Sequence, residues 1–203
     1  MSGRDPGPEL ETARLVLRPW SDDDLAAFAA INADPAVMEH FPAPLTRAES
    51  DSLAARWRTT FAEHGLGMWA VTEKPGDSRP GAPFIGFVGL SIPAFEAPFT
   101  PCVETGWRLG RRWWGKGYAT EAATAALAFG FGTLALDEIV AYTATGNRRS
   151  RAVMERLGMT RDPADDFVHP RLPDDEPLRF HVLYRLPRAE FRAAAGQAGA
   201  RTG

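Results

Sequence analysis

The chain has 203 residues, a length that fits one domain or at most two small ones, and its 44% hydrophobic and 24% charged residues are ordinary for a globular protein. A formal net charge of -3 gives no general attraction to nucleic acid or to an anionic membrane, so any basic ligand patch must be local. Cys102 is the only cysteine, which excludes an intramolecular disulfide and a cysteine-based metal cluster.

The lone cysteine suits a reducing cytoplasm. No apolar run approaches the ~20 residues that span a bilayer, and the opening stretch Met1 to Pro8 lacks the apolar core of a secretory signal. The expected location is therefore cytoplasmic. Residues 1–10 read as a flexible terminus rich in Gly, Pro and charge.

Arg14 to Trp20 alternates as a strand does. Ser21 to Asp24 reads as an N-cap with acid in the first turn, followed by Leu25, Phe28 and Ile31 at helical spacing. After Pro42 and Pro44, Thr46 opens a second helix that ends near Gly65. Met68–Thr72 is the next strand, Lys74 to Pro83 a turn, and Phe84–Ile92 a further strand. A Pro-rich loop over 93–101 leads to a strand at Val103–Leu109 and an Ala-rich helix from Tyr118 to about Leu134. A strand at Glu138–Thr145 precedes a helix at Arg148–Leu157, with Gly158 placed as its C′ residue. Phe180–Leu186 is the last strand, and 188–203 reads as a tail. This order gives one α+β domain over 11–187, with helices covering a central sheet.

The sharpest chemical signal is Arg111-Arg-Trp-Trp-Gly-Lys-Gly-Tyr-Ala-Thr-Glu121, between a strand and a helix. Main-chain N–H groups and the positive helix end at such a junction can hold a diphosphate. Gly115 and Gly117 let the backbone approach phosphates without a Cβ in the way. Arg111, Arg112 and Lys116 add local positive charge. The plainer reading is a tight turn with solvent-facing bases. The spacing fits neither the Walker-type nor the dinucleotide-binding glycine loop.

Arg112-Trp-Trp-Gly-Lys-Gly117 resembles the Arg/Gln-x-x-Gly-x-Gly/Ala signature of the GNAT acyltransferase superfamily. The extension through Tyr118-Ala-Thr-Glu-Ala122 resembles the branch that holds the Rim-type ribosomal-protein N-acetyltransferases. So do Asn147 to Met159 and Thr12 to Pro19. The resemblance implies a mostly antiparallel mixed sheet of about six to seven strands, helices on both faces, and a splayed strand pair at the cofactor site. It also implies acetyl-CoA as co-substrate. The pyrophosphate is expected on the N–H groups from Trp113 through Ala119, taking in Trp114, Gly115, Lys116, Gly117 and Tyr118, with Thr120 offering a hydroxyl. The pantetheine arm is expected between Val103–Leu109 and Glu138–Thr145. An N–H near Leu109 would stabilise the oxyanion, and Asn147 would hold the pantetheine amide or the acetyl end.

Acetyl transfer to an amine needs a base, because most amines are protonated at pH 7. Strand alternation puts Glu104, Gly106 and Arg108 on one face, and a mid-strand carboxylate there suits a wet cleft; the other reading is an Arg-paired glutamate. Met154 stands where many GNAT enzymes carry an acidic tyrosine, and the Rim-type resemblance suggests Ser150 instead. Its other reading is a capping hydroxyl. His169 and His181 read as structural, and no ligand spacing suggests a metal. The acceptor is expected to be a protein N-terminus or a small amine. Its groove would be shaped by the first two helices and the Phe95–Pro101 and Asp162–Glu176 loops. A non-catalytic acyl-CoA-binding module and a nucleotide binder of another class are the competing readings, and a homodimer is left open.

Overall fold

Residues 7–75 and 82–191 are described by a computed structural model. In chain order the elements are β1 Leu10–Glu11, β2 Leu15–Arg18, α1 Asp24–Ala33, α2 Arg47–His64, β3 Met68–Glu73 and β4 Phe84–Ser91. There follow β5 Glu104–Leu109, α3 Tyr118–Gly132, β6 Glu138–Ala144, α4 Arg148–Arg156, β7 Phe167–Val168 and β8 Phe180–Pro187. Residues 76–81, within the expected turn, and the tail beyond Phe191 lie outside the described residues.

The strands form one sheet of order β1-β2-β3-β4-β5-β6-β8-β7, antiparallel except between β5 and β6. This is the mixed α+β sheet expected, with eight strands in place of six to seven. The additional strands, β1 and β7, have two residues each. That is too short for alternation to show in a sequence. Leu10 pairs with Leu17, and the Trp69 indole N–H donates to the Pro8 carbonyl at 2.7 Å. The segment just before β2 is thus held to the sheet rather than loose.

Both faces of the sheet are covered. Leu15, Leu17, Trp69, Ile85 and Leu109 pack with α3 and α4, while Phe28, Ala54, Met68, Phe84 and Phe87 pack with α1 and α2. Ala122, Ala123 and Ala126 are fully buried, and these small residues let α3 lie close on β4 and β5. The caps follow the chain's chemistry. Thr46 and Glu49 form a reciprocal capping box at α2, and Gly65 ends that helix at φ 68°. At α1 the expected cap gives way to an ion pair. Asp24 is buried, chelates Arg18 through both carboxylate oxygens and accepts the Ser21 N–H. Gly158 takes φ 79° after α4.

Candidate active site

The segment from Arg111 to Thr120 is the sharp strand-to-helix junction the residues suggested. Arg111–Trp113 makes one 3-10 turn, and Gly117 is the N-cap of α3 with no side-chain cap. The first bond inside the helix runs from the Glu121 N–H to the Gly117 carbonyl at 3.0 Å, which leaves the N–H groups of Tyr118, Ala119 and Thr120 outside the ladder. Gly115 and Gly117 have φ 74° and 79°. A Cβ on Gly115 would stand in open space, and one on Gly117 would meet only the Arg14 guanidinium at 3.5 Å. The side chains these glycines lack would therefore stand in open space, where a diphosphate can come up against the bare backbone.

Bases flank this loop. Arg112 and Lys116 stack on the buried Trp113 ring at 4.8 and 4.7 Å, and Arg111, Arg112 and Lys116 are exposed and form no ion pair among the described residues. Behind the loop stands a brace that the sequence did not reveal. Arg14 donates to Glu121 from Nε at 2.7 Å and to the Lys116 carbonyl from Nη1 at 3.0 Å, and the Thr12 hydroxyl donates to Glu121 at 2.6 Å. Burial alone would raise the Glu121 carboxyl, but the hydrogen bonds from Thr12 and Arg14 hold it below its usual value. Thr12 and Arg14 lie within the segment that carried the family resemblance, so the signal was present but unassigned.

β5 and β6 part beside this junction. Their register contains the single pair Glu104↔Val140, next to a hydrogen bond from the Val140 N–H to the Val103 carbonyl at 2.9 Å. The Gly110 N–H donates to the Ile85 carbonyl. The antiparallel alternation then turns Arg108, Gly106 and Glu104 toward β4, and the main-chain groups of Thr105, Trp107 and Leu109 toward the opening. The Leu109 carbonyl accepts from the Trp114 indole at 2.8 Å. The free edge of β5 therefore leads to the glycine loop.

Glu104 sits at the closed end of this splay. It retains some solvent contact, yet burial dominates and raises its carboxyl above the usual range; hydrogen bonds from Tyr142 and Ser91 oppose that rise. The Ser91 hydroxyl donates to Glu104 Oε1 at 2.7 Å. No Arg pairs with Glu104 among the described residues. Tyr142, which sequence reasoning missed, loses acidity through burial and then through the Glu104 charge. Cys102 is pushed up to about 11, first by burial and then by Glu104.

Tyr142 belongs to an aromatic wall with Phe95, Phe99, Phe167, His169 and His181, and the two imidazoles are 5.0 Å apart. Burial lowers His169 and takes His181 to about 4, so both are neutral at pH 7. Both rings pack on Tyr142, the partner of Glu104. The two expected groove loops meet here, where the Arg171 guanidinium donates to the Ala94 carbonyl. The acids of the second loop are largely engaged: Asp165 with Arg185, Asp166 with Arg161, Asp174 with Arg179, and Glu176 with the Leu178 N–H.

Asn147 and Ser150 come together at the start of α4. Asn147 Oδ1 accepts the Ser150 N–H at 3.1 Å, and its amide donates to Thr143 Oγ1 at 2.9 Å and to Ser150 Oγ at 3.1 Å. Asn147 is thus the cap of α4 and Ser150 the capped residue, which reverses the capping role considered for the serine. Its own hydroxyl proton remains available.

The description acetyltransferase (GNAT) domain matches residues 14–160. The chain belongs to the GNAT acetyltransferase family. This acetyltransferase is 34% identical over 161 residues to the protein named FsC-acetyl coenzyme A-N(2)-transacetylase from Aspergillus fumigatus. That match covers 75% of the chain and 65% of the relative, so the chain spans just under two thirds of the relative's length. It is 30% identical to an acetyltransferase of Agrobacterium tumefaciens str. C58 whose crystal structure superposes with a TM-score of 0.68, covering 88% of this chain and 94% of that one. The spermidine N-acetyltransferase of Vibrio cholerae, solved with CoA and spermine, shares the fold at 18% identity and a TM-score of 0.67, covering 89% and 99%. GNAT acetyltransferases take acetyl-CoA as co-substrate, and the chain is an acyltransferase of that family. Among the described residues no group of three His, Cys, Asp or Glu could hold a metal, and no helix is long and apolar enough to cross a membrane.

Proposed function

We propose that the acetyltransferase moves the acetyl group of acetyl-CoA to a primary amine by direct attack, with Glu104 as the base. The carrying observation is the Glu104 carboxyl, raised by burial and held by Tyr142 and Ser91 where β5 and β6 separate. A base whose affinity for protons is brought toward neutrality suits removal of an ammonium proton, directly or through water. The amine nitrogen then adds to the thioester carbonyl, the tetrahedral intermediate collapses with loss of the C–S bond, and the thiolate takes a proton. Cys102, held protonated at neutral pH, is a poor candidate for an acyl-enzyme nucleophile, which favours the direct route.

The pyrophosphate is assigned to the N–H groups from Gly115 through Ala119, because those of Trp113 and Trp114, also expected there, donate to the Gly110 and Arg111 carbonyls in the 3-10 turn; Thr120 adds its hydroxyl and Arg111, Arg112 and Lys116 the charge. The pantetheine arm is assigned to the open edge of β5. Along a strand, Trp107 lies about 10 Å from Glu104 and Leu109 about 17 Å. The Trp107 N–H is therefore the better oxyanion donor for chemistry at Glu104, and the Leu109 N–H suits a pantetheine amide. Asn147 keeps Ser150 at the mouth of the splay, where its hydroxyl can protonate the leaving thiolate. The acceptor is a protein N-terminus or a small amine entering past the aromatic wall.

The test is a panel of amines and N-terminal peptides with acetyl-CoA, reading released thiol, with Glu104→Gln alongside. The expected result is turnover by the native chain and a large loss in the variant at nearly unchanged CoA affinity. Equal activity in the variant would remove Glu104 from the base role. CoA binding with no turnover across the panel would favour a non-catalytic acyl-CoA-binding protein.

A further inference from the structure

On the face of β5 that carries Glu104, four residues further on, Arg108 reaches under α1 and α2. Its Nη1 donates to Asn32 Oδ1 at 2.6 Å, and the Asn32 amide donates in turn to Ser50 Oγ at 2.8 Å, so two helices fix the guanidinium. The Phe41 ring covers it at 4.2 Å. Arg108 Nε is shut off from solvent with no hydrogen-bond partner, and among the described residues no carboxylate pairs with the side chain. Burial pulls its pKa down to about 10, so it stays charged at pH 7. Arg108 keeps some contact with solvent, but a guanidinium so largely buried, held by Asn32 and without an anion, leaves a positive charge open to a counter-charge from elsewhere.

That counter-charge has room to arrive. Arg108 lines a cavity of about 670 Å³ together with Phe41, Leu45, Leu53 and Arg56. The one carboxylate on its wall, Glu49, is occupied by the Thr46 N–H and hydroxyl in the α2 capping box. Between Glu104 and Arg108 the same face of β5 carries only Gly106, over which the flexible Met68 side chain stands with its methyl 3.4 Å from where a Cβ would be, so an acceptor bridging base and guanidinium passes over or displaces that methyl. Their Cα atoms are about 13 Å apart along the strand, a gap both side chains can shorten.

We infer that Arg108 is a specificity residue that binds a carboxylate carried by the acceptor, so that the preferred substrates are amines bearing a carboxylate some bonds away from the nitrogen. A guanidinium offers a carboxylate two parallel donors, which a neutral amide cannot match. This inference rests on the transferase reading above and narrows its acceptor class.

The experiment uses ω-amino carboxylates from glycine to 6-aminohexanoate, each beside its carboxamide, with the full-length chain, acetyl-CoA and thiol release as readout. The expected result is a kcat/KM at least about tenfold higher for the acid than for the amide at the lengths that bridge both groups, expressed mainly in KM. Arg108→Met should collapse that ratio to about 1, and Arg108→Lys should keep part of it. CoA affinity, measured in each variant, reports whether the fold has survived, and the acid-to-amide ratio of the native chain stands as a test even if a variant does not fold. Equal use of acids and amides by the native chain, or an unchanged ratio in a folded Arg108→Met, would overturn the inference while leaving the transferase reading intact. CoA binding with no turnover of any amine would overturn both.

Discussion

At the scale of single residues, Glu104 shows how burial and hydrogen bonding compete over one proton. Burial raises its carboxyl, and the Tyr142 and Ser91 hydroxyls stabilise the charged form and pull it back. If Glu104 is the base, activity falls as pH drops through its folded-state pKa, so the acid limb of kcat/KM lies above the ordinary carboxylate range. Tyr142→Phe removes a bond that favours the carboxylate, and the limb should move to higher pH. An unmoved limb in that variant would separate Glu104 from the titration. Stability carries the opposite sign to activity. A carboxyl raised in the fold binds its proton more tightly there than in the unfolded chain, so its contribution is fully present at low pH and is lost as pH rises through the raised value. Glu104→Gln should therefore lose about 10²–10⁴ in turnover and yet melt no lower than the native chain at pH 7, checked by thiol release and thermal unfolding. A lower melting temperature would mean that the carboxylate is structural.

At the scale of elements, the glycine loop depends on more than its own residues. The loop sequence specified its positive-φ turns and helix start, because these are local demands on Gly115 and Gly117. It did not specify the brace, since Arg14 and Glu121 are 107 positions apart and each reads alone as a surface charge. The same reason hid Tyr142, whose role exists only once β6 lies beside β5. The face of β5 on which Glu104 stands was legible because alternation is local, although Glu104 opens the strand and does not stand in its middle; the two blocks at Arg112–Gly117 and Asn147–Met159 were legible too. The two-residue strands β1 and β7 were beyond reach, having no period to display. Arg14→Ala should release the Lys116 carbonyl and leave Glu121 Oε2 without its guanidinium beside the incoming phosphates, while Oε1 stays held by Thr12. Because Arg14 is about half exposed, the stability cost should be only about 1 kcal/mol or less. CoA affinity should fall several-fold. Calorimetric titration checks this, and an unchanged affinity would show that the loop holds its shape unaided.

Across the whole molecule the net charge is -3, yet at the junction before α3 three exposed bases stand without an ion pair among the described residues, beside N–H groups outside the helix ladder. A ligand held there binds the folded chain and not the unfolded one, so it must raise the unfolding temperature. With CoA at about 100 times its Kd the gain is about 2.7 kcal/mol, which for a domain of this size corresponds to about 5–10 °C. Gly117→Val tests whether the gain comes from the loop. The substituted Cβ would meet only the Arg14 guanidinium inside the protein, but it would force a β-branched residue to φ 79° and stand in the open space over the loop backbone. The unliganded variant should unfold somewhat earlier, and the rise with CoA should shrink or vanish. Unfolding followed with and without CoA separates the two effects, because backbone strain lowers both curves while a blocked site abolishes only their difference. A full CoA-dependent shift in Gly117→Val would place the phosphates elsewhere on the molecule.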